Sequence, residues 1–359
     1  YEEGVRVRYR IDGCLQDAFR LPKHHQNSFL ARLKIISGID ITENRLPQDG
    51  RFRVRLEGRE IDFRVSVLPI GHGSKVVLRI LDKSNLSLSL DKLGFLPDSL
   101  AAFKKAIARP YGLILVTGPT GSGKSTTLYS VLNQMNDPGR NILTVEDPVE
   151  YQIDGITQVQ VHPEIGLTFA SVLRTFLRQA PDVVLVGEIR DGETADIAIK
   201  ASLTGQIVLA TLHTNDAPSA VARLIDMGVD PFLLSSSLIF VAAQRLCRQI
   251  CTRCKSEAPM LSAAQMKEAD IVLPKDVTLY QGKGCPLCRK TGYQGRFGVI
   301  ESMLVDDTIR EKIVLKRPPD EIKAYAIEQG MKTIREEGLK HCLSGRTTLE
   351  EVIKVTSEE

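Results

Sequence analysis

Eight consecutive residues constrain this chain more than any others. Gly118-Pro119-Thr120-Gly121-Ser122-Gly123-Lys124-Ser125 fits the phosphate-binding pattern G-x-x-x-x-G-K-[ST]. Such a loop needs a buried strand before it and a helix after it, and the flanks supply both. Gly112 to Thr117 (GLILVT) is a short apolar run of strand character, and Leu128, Val131, Leu132 and Met135 recur at helical spacing. In that setting the glycines let backbone N–H groups close around phosphate oxygens, and the helix N-terminus adds positive potential. Lys124 is expected to reach the β- and γ-phosphates of ATP and Ser125 to hold Mg²⁺, with Thr126 completing the nucleotide-contacting set. A chance glycine-rich turn would not bring strand, helix and all three fixed positions together.

The segments after the loop alternate between strand and helix. Asn141–Val145 and Asp182–Val186 (DVVLV) are predicted buried strands, with a hairpin-like region up to His162 after the first. Ala170–Arg178 and Asp191–Leu203 are predicted helices, and Ile207–Thr211 is the next strand. This order, with polar residues at strand ends, predicts a doubly wound α/β core. Two helices are then expected, at 218–227 and 231–245, and a helical tail from Asp307 onward, clearest at 321–329, 334–343 and 348–355. Before the core, residues 1–83 suggest a small α+β domain. It has a first strand through Val5, Val7, Tyr9 and Ile11, a helix carrying Leu30, Leu33, Ile36 and Ile39, a hairpin turning at Glu57-Gly58-Arg59, and a strand at 75–81. Arg51, Arg53 and Arg55 share one strand face there, with Arg64 and Arg79 on later strands; the plain expectation for them is a solvated sheet face.

Hydrolysis of ATP needs a carboxylate that orients or deprotonates the attacking water. Glu188 follows DVVLV, with Gly187 where an aspartate would more usually precede it, and Glu146 ends the neighbouring strand. His213 ends a third strand, where it could sense the γ-phosphate. A second metal centre is predicted from Cys251, Cys254, Cys285 and Cys288. Their C-x₂-C-x₃₀-C-x₂-C spacing allows each pair to chelate one structural Zn²⁺ from a knuckle turn. Cys247, one helical turn before Cys251, is a weaker ligand candidate, and Cys14 and Cys342 are expected to be isolated thiols. A redox dithiol is the alternative for the quartet.

At this point a resemblance is plain. GPTGSGKSTTLYS, ILTVEDPVEY, RTFLRQAPDVVLVGEIRD, TGQIVLATLHTNDA and the paired C-x-x-C motifs resemble the secretion ATPase family, and within it the type II secretion and type IV pilus-assembly ATPases. The resemblance implies a RecA-like P-loop core with a smaller N-terminal PAS-like α+β domain and a zinc-binding insert. It implies a hexamer with ATP between domains, and a cytoplasmic location at the inner membrane through a platform partner. Residue by residue it implies that Glu188 is the catalytic glutamate and that Glu146, Asp147 and Glu150 form the Asp box. It makes His213 the His box, Arg64 and Arg79 arginines that reach phosphates, and Arg174, Arg178 and Arg190 further arginines of the core. Domain boundaries follow as 1–83 for the PAS-like domain, 84–97 for a linker and 98–359 for the motor. The motor would include a tetracysteine subdomain at 248–295 and a helical region at 296–359.

Two other function classes fit part of the pattern. A RecA-like nucleic-acid motor would want a basic, aromatic-lined stripe, whereas the net charge is +3, aromatics make up 5% and Trp is absent, so no nucleic-acid partner is expected. A non-catalytic nucleotide scaffold would not need Lys124, Glu146 and Glu188 together. Within the family, pilus retraction is the nearer rival, but that branch usually lacks the cysteine insert. The opening residues fall inside a strand, without a signal peptide, so sequence upstream is expected to be missing.

Overall fold

The structure, a computed structural model, describes residues 4–82, 89–259, 273 and 277–357. The expected insert therefore lies partly, and the start of the expected linker wholly, outside the described residues. The chain divides into two compact units, Tyr1–Ser87 and Leu88–Glu359.

The first unit holds an antiparallel hairpin, β1 (Gly4–Ile11) and β2 (Cys14–Pro22), then α1 (Gln26–Ile36) and an antiparallel meander of β3 (Gln48–Leu56), β4 (Arg59–Ile70) and β5 (Gly73–Asp82). The β3–β4 turn has both central residues left-handed, Glu57 at φ 50° and Gly58 at φ 80°, which suits a tight hairpin. β2 was not expected from the sequence. Asp12-Gly13, with φ of 49° and 85°, is the turn signal that marks it. Ile39, Val65 and Val67 form the buried centre of this unit, flanked by Phe52 and Val76.

The second unit is built on a seven-stranded sheet in the order β14-β11-β6-β10-β9-β7-β8. Its strands are β6 (Gly112–Thr117), β7 (Ile142–Glu146), β8 (Thr157–Gln160), β9 (Val183–Val186), β10 (Ile207–Leu212), β11 (Leu238–Ile250) and β14 (Tyr293–Leu304). All neighbours run parallel except β14, which is antiparallel to β11. Strands β6, β7, β9 and β10 are buried from end to end, as a parallel sheet covered on both faces requires. The helices α3 (Lys124–Met135), α4 (Phe169–Phe176), α5 (Gly192–Leu203), α6 (Ala217–Asp226) and α7 (Pro231–Ser237) carry the crossovers. Asp191 and Asp216 cap α5 and α6 by accepting from Thr194 N and Ser219 N. Four short helices follow β14, at Asp307–Val314, Pro319–Glu328, Ile334–Leu343 and Leu349–Thr356.

Five expectations need correction. The helix expected at 231–245 stops at Ser237, and Leu238 begins the long strand β11 between β6 and β14. Its run LIFVAA is buried on both sides, and a short continuous apolar run has no period that separates strand from helix. Cys247 therefore lies on a strand, paired with Phe297, rather than a helical turn before Cys251. The region expected to be helical from 296 begins instead with β14. The hairpin expected before His162 is absent, because β8 runs parallel to β7. Finally, the later part of the expected linker is core: Leu90, Leu93 and Phe95 are buried, and Phe95 stacks on Phe103 of the helix α2 (Pro97–Ile107).

Candidate functional site

The parallel register brings four strand ends and the middle of β11 into one row. Val145 pairs with Val186, Ala210 with Val186 and Leu115, Leu212 with Thr117, and Ala243 with Thr117. Glu146, Gly187-Glu188, His213 and the phosphate loop accordingly emerge along the carboxyl edge of the sheet, where ligands bind in open α/β sheets, with Gln244 of β11 beside the loop.

The loop has the backbone that the motif requires. Gly118, Gly121 and Gly123 have φ of 140°, 83° and 93°, and α3 begins at Lys124. Lys124 Nζ donates to the loop's own carbonyls, Gly118 O at 2.8 Å and Pro119 O at 3.1 Å. Burial pulls its pKa below the ordinary lysine value, the Glu188 carboxylate pushes it up, and Arg245 pulls it down. The hydroxyls of Thr117 and Ser122 are buried without a hydrogen-bond partner among the described residues. Orphaned donors at the mouth of a glycine loop, beside an ammonium folded back on carbonyls, suit an anion such as a phosphate chain. Ser125 and Thr126 are exposed at the start of α3, where Ser125 would be the residue to hold Mg²⁺.

Glu188 and Glu146 differ sharply. Glu188 Oε1 lies 3.0 Å from His213 Nε2, and its Oε2 accepts from Arg190 Nε at 2.9 Å, while Arg190 Nη1 reaches Asp147 Oδ2 at 3.2 Å. Glu146 is buried at 5% exposure and spends both oxygens inside the fold. Tyr129 OH donates to Oε2, and Thr144 Oγ1 (2.6 Å) and Gln158 Nε2 (3.1 Å) donate to Oε1. Burial, followed by the Glu146 charge, pushes the Tyr129 hydroxyl far above the usual phenol range, so it stays a donor. Gly187 also has a local reason. A Cβ there would lie 3.1 Å from Val145 O and 3.2 Å from Glu146 Cα, so an aspartate would crowd the neighbouring strand.

The other expected arginines fall elsewhere. Arg174 on α4 pairs with Glu193 on α5, and Arg178 Nη1 donates to Arg174 O at 2.8 Å, so neither joins the Glu188 cluster in the described contacts. Arg64 and Arg79 lie in the first unit as cross-strand partners on β4 and β5, with Arg51 opposite Arg64 on β3. Two residues missed from the sequence complete the row. Gln244 and Arg245, both buried, sit midway along β11, just past its pairing with the last residue of β6, and Arg245 Nη2 donates to Asn215 O and Oδ1 in the loop after His213. The helix expected over 231–245 hid them.

Cys251, Cys254, Cys285 and Cys288 converge, with all four Sγ atoms within 4.8 Å of one another. Sγ separations of 3.9 Å (251–285), 3.8 Å (254–288) and 3.7 Å (285–288) match a tetrahedron around zinc, whose Zn–S bonds of about 2.3 Å set sulfurs about 3.8 Å apart. They are far from the roughly 2.05 Å of a disulfide. Backbone N–H groups of Cys285 (3.1 Å) and Gly292 (3.3 Å) donate to Cys288 Sγ and help draw its pKa down to about 6, which favours the thiolate. A two-stranded ribbon, β12 (Lys255–Glu257) with β13 (Tyr280–Gly282), rises from the knuckles.

A family model described as type II/IV secretion system protein matches residues 1–354. Among curated proteins, the chain is 50% identical over 362 aligned positions to the type IV pilus assembly ATPase PilB of Myxococcus xanthus, covering 100% of this chain and 64% of that protein. It is 49% identical to PilB of Thermus thermophilus, covering 99% of this chain and 40% of that protein. It is 50% identical to the type II secretion system protein E of Pectobacterium carotovorum subsp. carotovorum, covering 100% and 71%. The chain thus spans less than two thirds of both pilus relatives. Among solved structures, the pilus retraction motor PilT with bound ADP superposes with a TM-score of 0.66 at 27% identity, covering 98% of this chain and 91% of that one. The Legionella pneumophila ATPase DotB, with a TM-score of 0.70 at 20% identity and coverage of 99% and 92%, shares the mixed α/β fold.

Proposed function

This chain belongs to the type II/IV secretion system protein family, and we propose that it hydrolyses ATP to drive assembly of a type IV pilus or a type II secretion pseudopilus. The carrying observation is the row of strand ends: a phosphate loop whose lysine and hydroxyls await an anion, with Glu188 held beside it by His213 and Arg190. In this reading the loop N–H groups and Lys124 bind the phosphates, and the Glu188 carboxylate orients the attacking water and takes its proton. His213 and Arg190 aim that carboxylate. Ser125 would hold Mg²⁺, which would supply charge neutralisation to the phosphates. Glu146 serves as the buried anchor of Tyr129.

The finer parts of the reading are proposals of the same kind. The core is RecA-like, the first unit is a PAS-like domain that brings Arg64 and Arg79 to the phosphates, Arg174 and Arg178 are further functional arginines of the motor core, and the chain works as a homo-hexamer. The motor is cytoplasmic and works at the inner membrane through a platform protein; among the described residues no helix is long and apolar enough to cross a membrane. The four cysteines hold one structural Zn²⁺, supported by their tetrahedral spacing. Assembly is favoured over retraction because the relatives at about half identity are named as assembly or secretion proteins, whereas the retraction motor is 27% identical.

Phosphate release from ATP tests the activity. The parent protein should turn over, and Lys124→Ala should lose both turnover and roughly 10²-fold in nucleotide affinity. A parent that binds ATP without releasing phosphate would reduce the chain to a nucleotide-binding scaffold. Metal analysis should find one zinc per chain, and chelation should lower the melting temperature. A metal-free protein with Cys251 and Cys254 in a disulfide would reject the zinc site.

A further inference from the structure

The side chain of Gln244, 2% exposed, reaches from β11 across to the phosphate loop. Its Nε2 donates to Ser122 O at 2.9 Å, and its Oε1 accepts from Thr127 Oγ1 at 2.7 Å. One amide thus ties the last part of the loop to the first turn of α3. The two contacts demand an amide: the carbonyl of Ser122 needs a donor and the hydroxyl of Thr127 needs an acceptor. Glutamate offers no donor, and methionine of similar length offers neither.

The loop glycines fit this side chain. A Cβ on Gly118 would lie 2.4 Å from Gln244 O, and one on Gly123 would lie 2.7 Å from Gln244 Nε2. Two glycines of the motif are therefore also the space into which β11 and its glutamine pack. The consequence for chemistry lies in the peptide between Ser122 and Gly123. A trans peptide is planar, with its C=O and N–H on opposite sides. When Gln244 holds the Ser122 carbonyl toward β11, the Gly123 N–H is turned away from β11, into the loop. That N–H belongs to the group expected to meet phosphate oxygens.

We propose that Gln244 is a positioning residue for nucleotide phosphates: it pins the Ser122–Gly123 peptide so that the loop N–H groups are pre-oriented before ligand arrives. Pre-orientation removes an ordering cost from binding, so its loss appears as weaker affinity. The adjacent Arg245, hydrogen-bonded to Asn215 in the loop after His213, ties the same stretch of β11 to a second loop. This proposal rests on the nucleotide reading above.

The test is an ADP titration by calorimetry of the parent, Gln244→Met and Gln244→Glu, with melting temperatures measured alongside. Methionine should weaken ADP binding about 10-fold, one lost charge-assisted orientation being worth about that factor. Glutamate should weaken it further, because it adds negative charge beside the phosphates. Glycine-selective ¹⁵N labelling gives a second readout: the Gly123 amide resonance should move on adding ADP in the parent and move less in both variants. If either variant does not fold, Thr127→Val removes the partner hydroxyl and should weaken ADP binding about 3-fold. Variants that melt earlier yet bind ADP within twofold of the parent would overturn the proposal and leave Gln244 a packing residue. A parent that does not bind ADP would instead overturn the nucleotide reading itself.

Discussion

The ends of β7 and β9 sit side by side, and each presents a glutamate, yet the two carboxylates have opposite surroundings. Glu146 is sunk among Tyr129, Thr144 and Gln158, which occupy both of its oxygens. Glu188 keeps 22% of its side chain exposed and faces His213, Arg190 and, through space, Lys124. A carboxylate whose lone pairs are consumed by buried donors is held for stability, because moving it would leave those donors unpaired. A carboxylate at a partly open edge, held by cationic or ring nitrogen partners, can exchange one of them for water. Position along the sheet does not separate the two; burial and partners do.

The largest effect that can break this contrast comes from Glu146→Ala. It strands the buried hydroxyls of Tyr129 and Thr144 at roughly 1–3 kcal/mol each before relaxation and leaves the half-buried Gln158 amide with only Tyr151 O, so the net loss of stability should be about 3 kcal/mol, a fall of several degrees in melting temperature. Turnover per folded molecule should stay within about 10-fold of the parent. A variant that melts normally but does not hydrolyse ATP would move the catalytic role from Glu188 to Glu146.

A smaller effect is expected from Arg190→Ala. Arg190 is more than half exposed, so its pairs with Glu188 and Asp147 should add little to stability. Its loss should nevertheless free Glu188 to turn, and kcat should fall about 10-fold while the melting temperature holds. Equal turnover would mean that His213 alone aims the carboxylate.

The smallest effect sharpens the rule with a third carboxyl. Glu337 is 2% exposed and accepts from Ser99 Oγ at 3.1 Å, but its Oε2 has no hydrogen-bond partner among the described residues. Burial pushes its pKa up to about 7. Because the folded value exceeds the ordinary one, the group's favourable contribution is present below about pH 4.5 and is lost as pH rises through about 7. Glu337→Gln should therefore be neutral at pH 5 and stabilising by roughly 1–2 kcal/mol at pH 8. Thermal melts at the two pH values check this, and an equal effect at both would show that the carboxyl does not titrate between them.

Much of the site was legible in the sequence because it lies at the ends of strands whose apolar runs are short and bounded by polar residues. GLILVT, DVVLV and IVLATL mark β6, β9 and β10, and the residues after them are the loop, Glu188 and His213. The cysteine spacing carried its own geometry. What was not legible was β11. LIFVAAQRLCRQI follows a proline-started helix and has no strand period, because β6 and β14 cover it on both edges and the core covers both faces. Gln244 and Arg245 were lost with it. The separate fates of Glu146 and Glu188 were equally hidden, since Tyr129, Thr144 and Gln158 meet Glu146 only through tertiary packing.

The most direct test of the central claim is the steady-state ATP turnover of Glu188→Gln at saturating ATP, with nucleotide affinity measured on the same preparation. Glutamine keeps the size of the side chain and can still accept from Arg190, but it cannot take a proton. Turnover should fall about 10²-fold or more while ATP affinity stays within a few-fold of the parent. Near-parental turnover in a protein that binds ATP normally would contradict the assignment of Glu188 as the base.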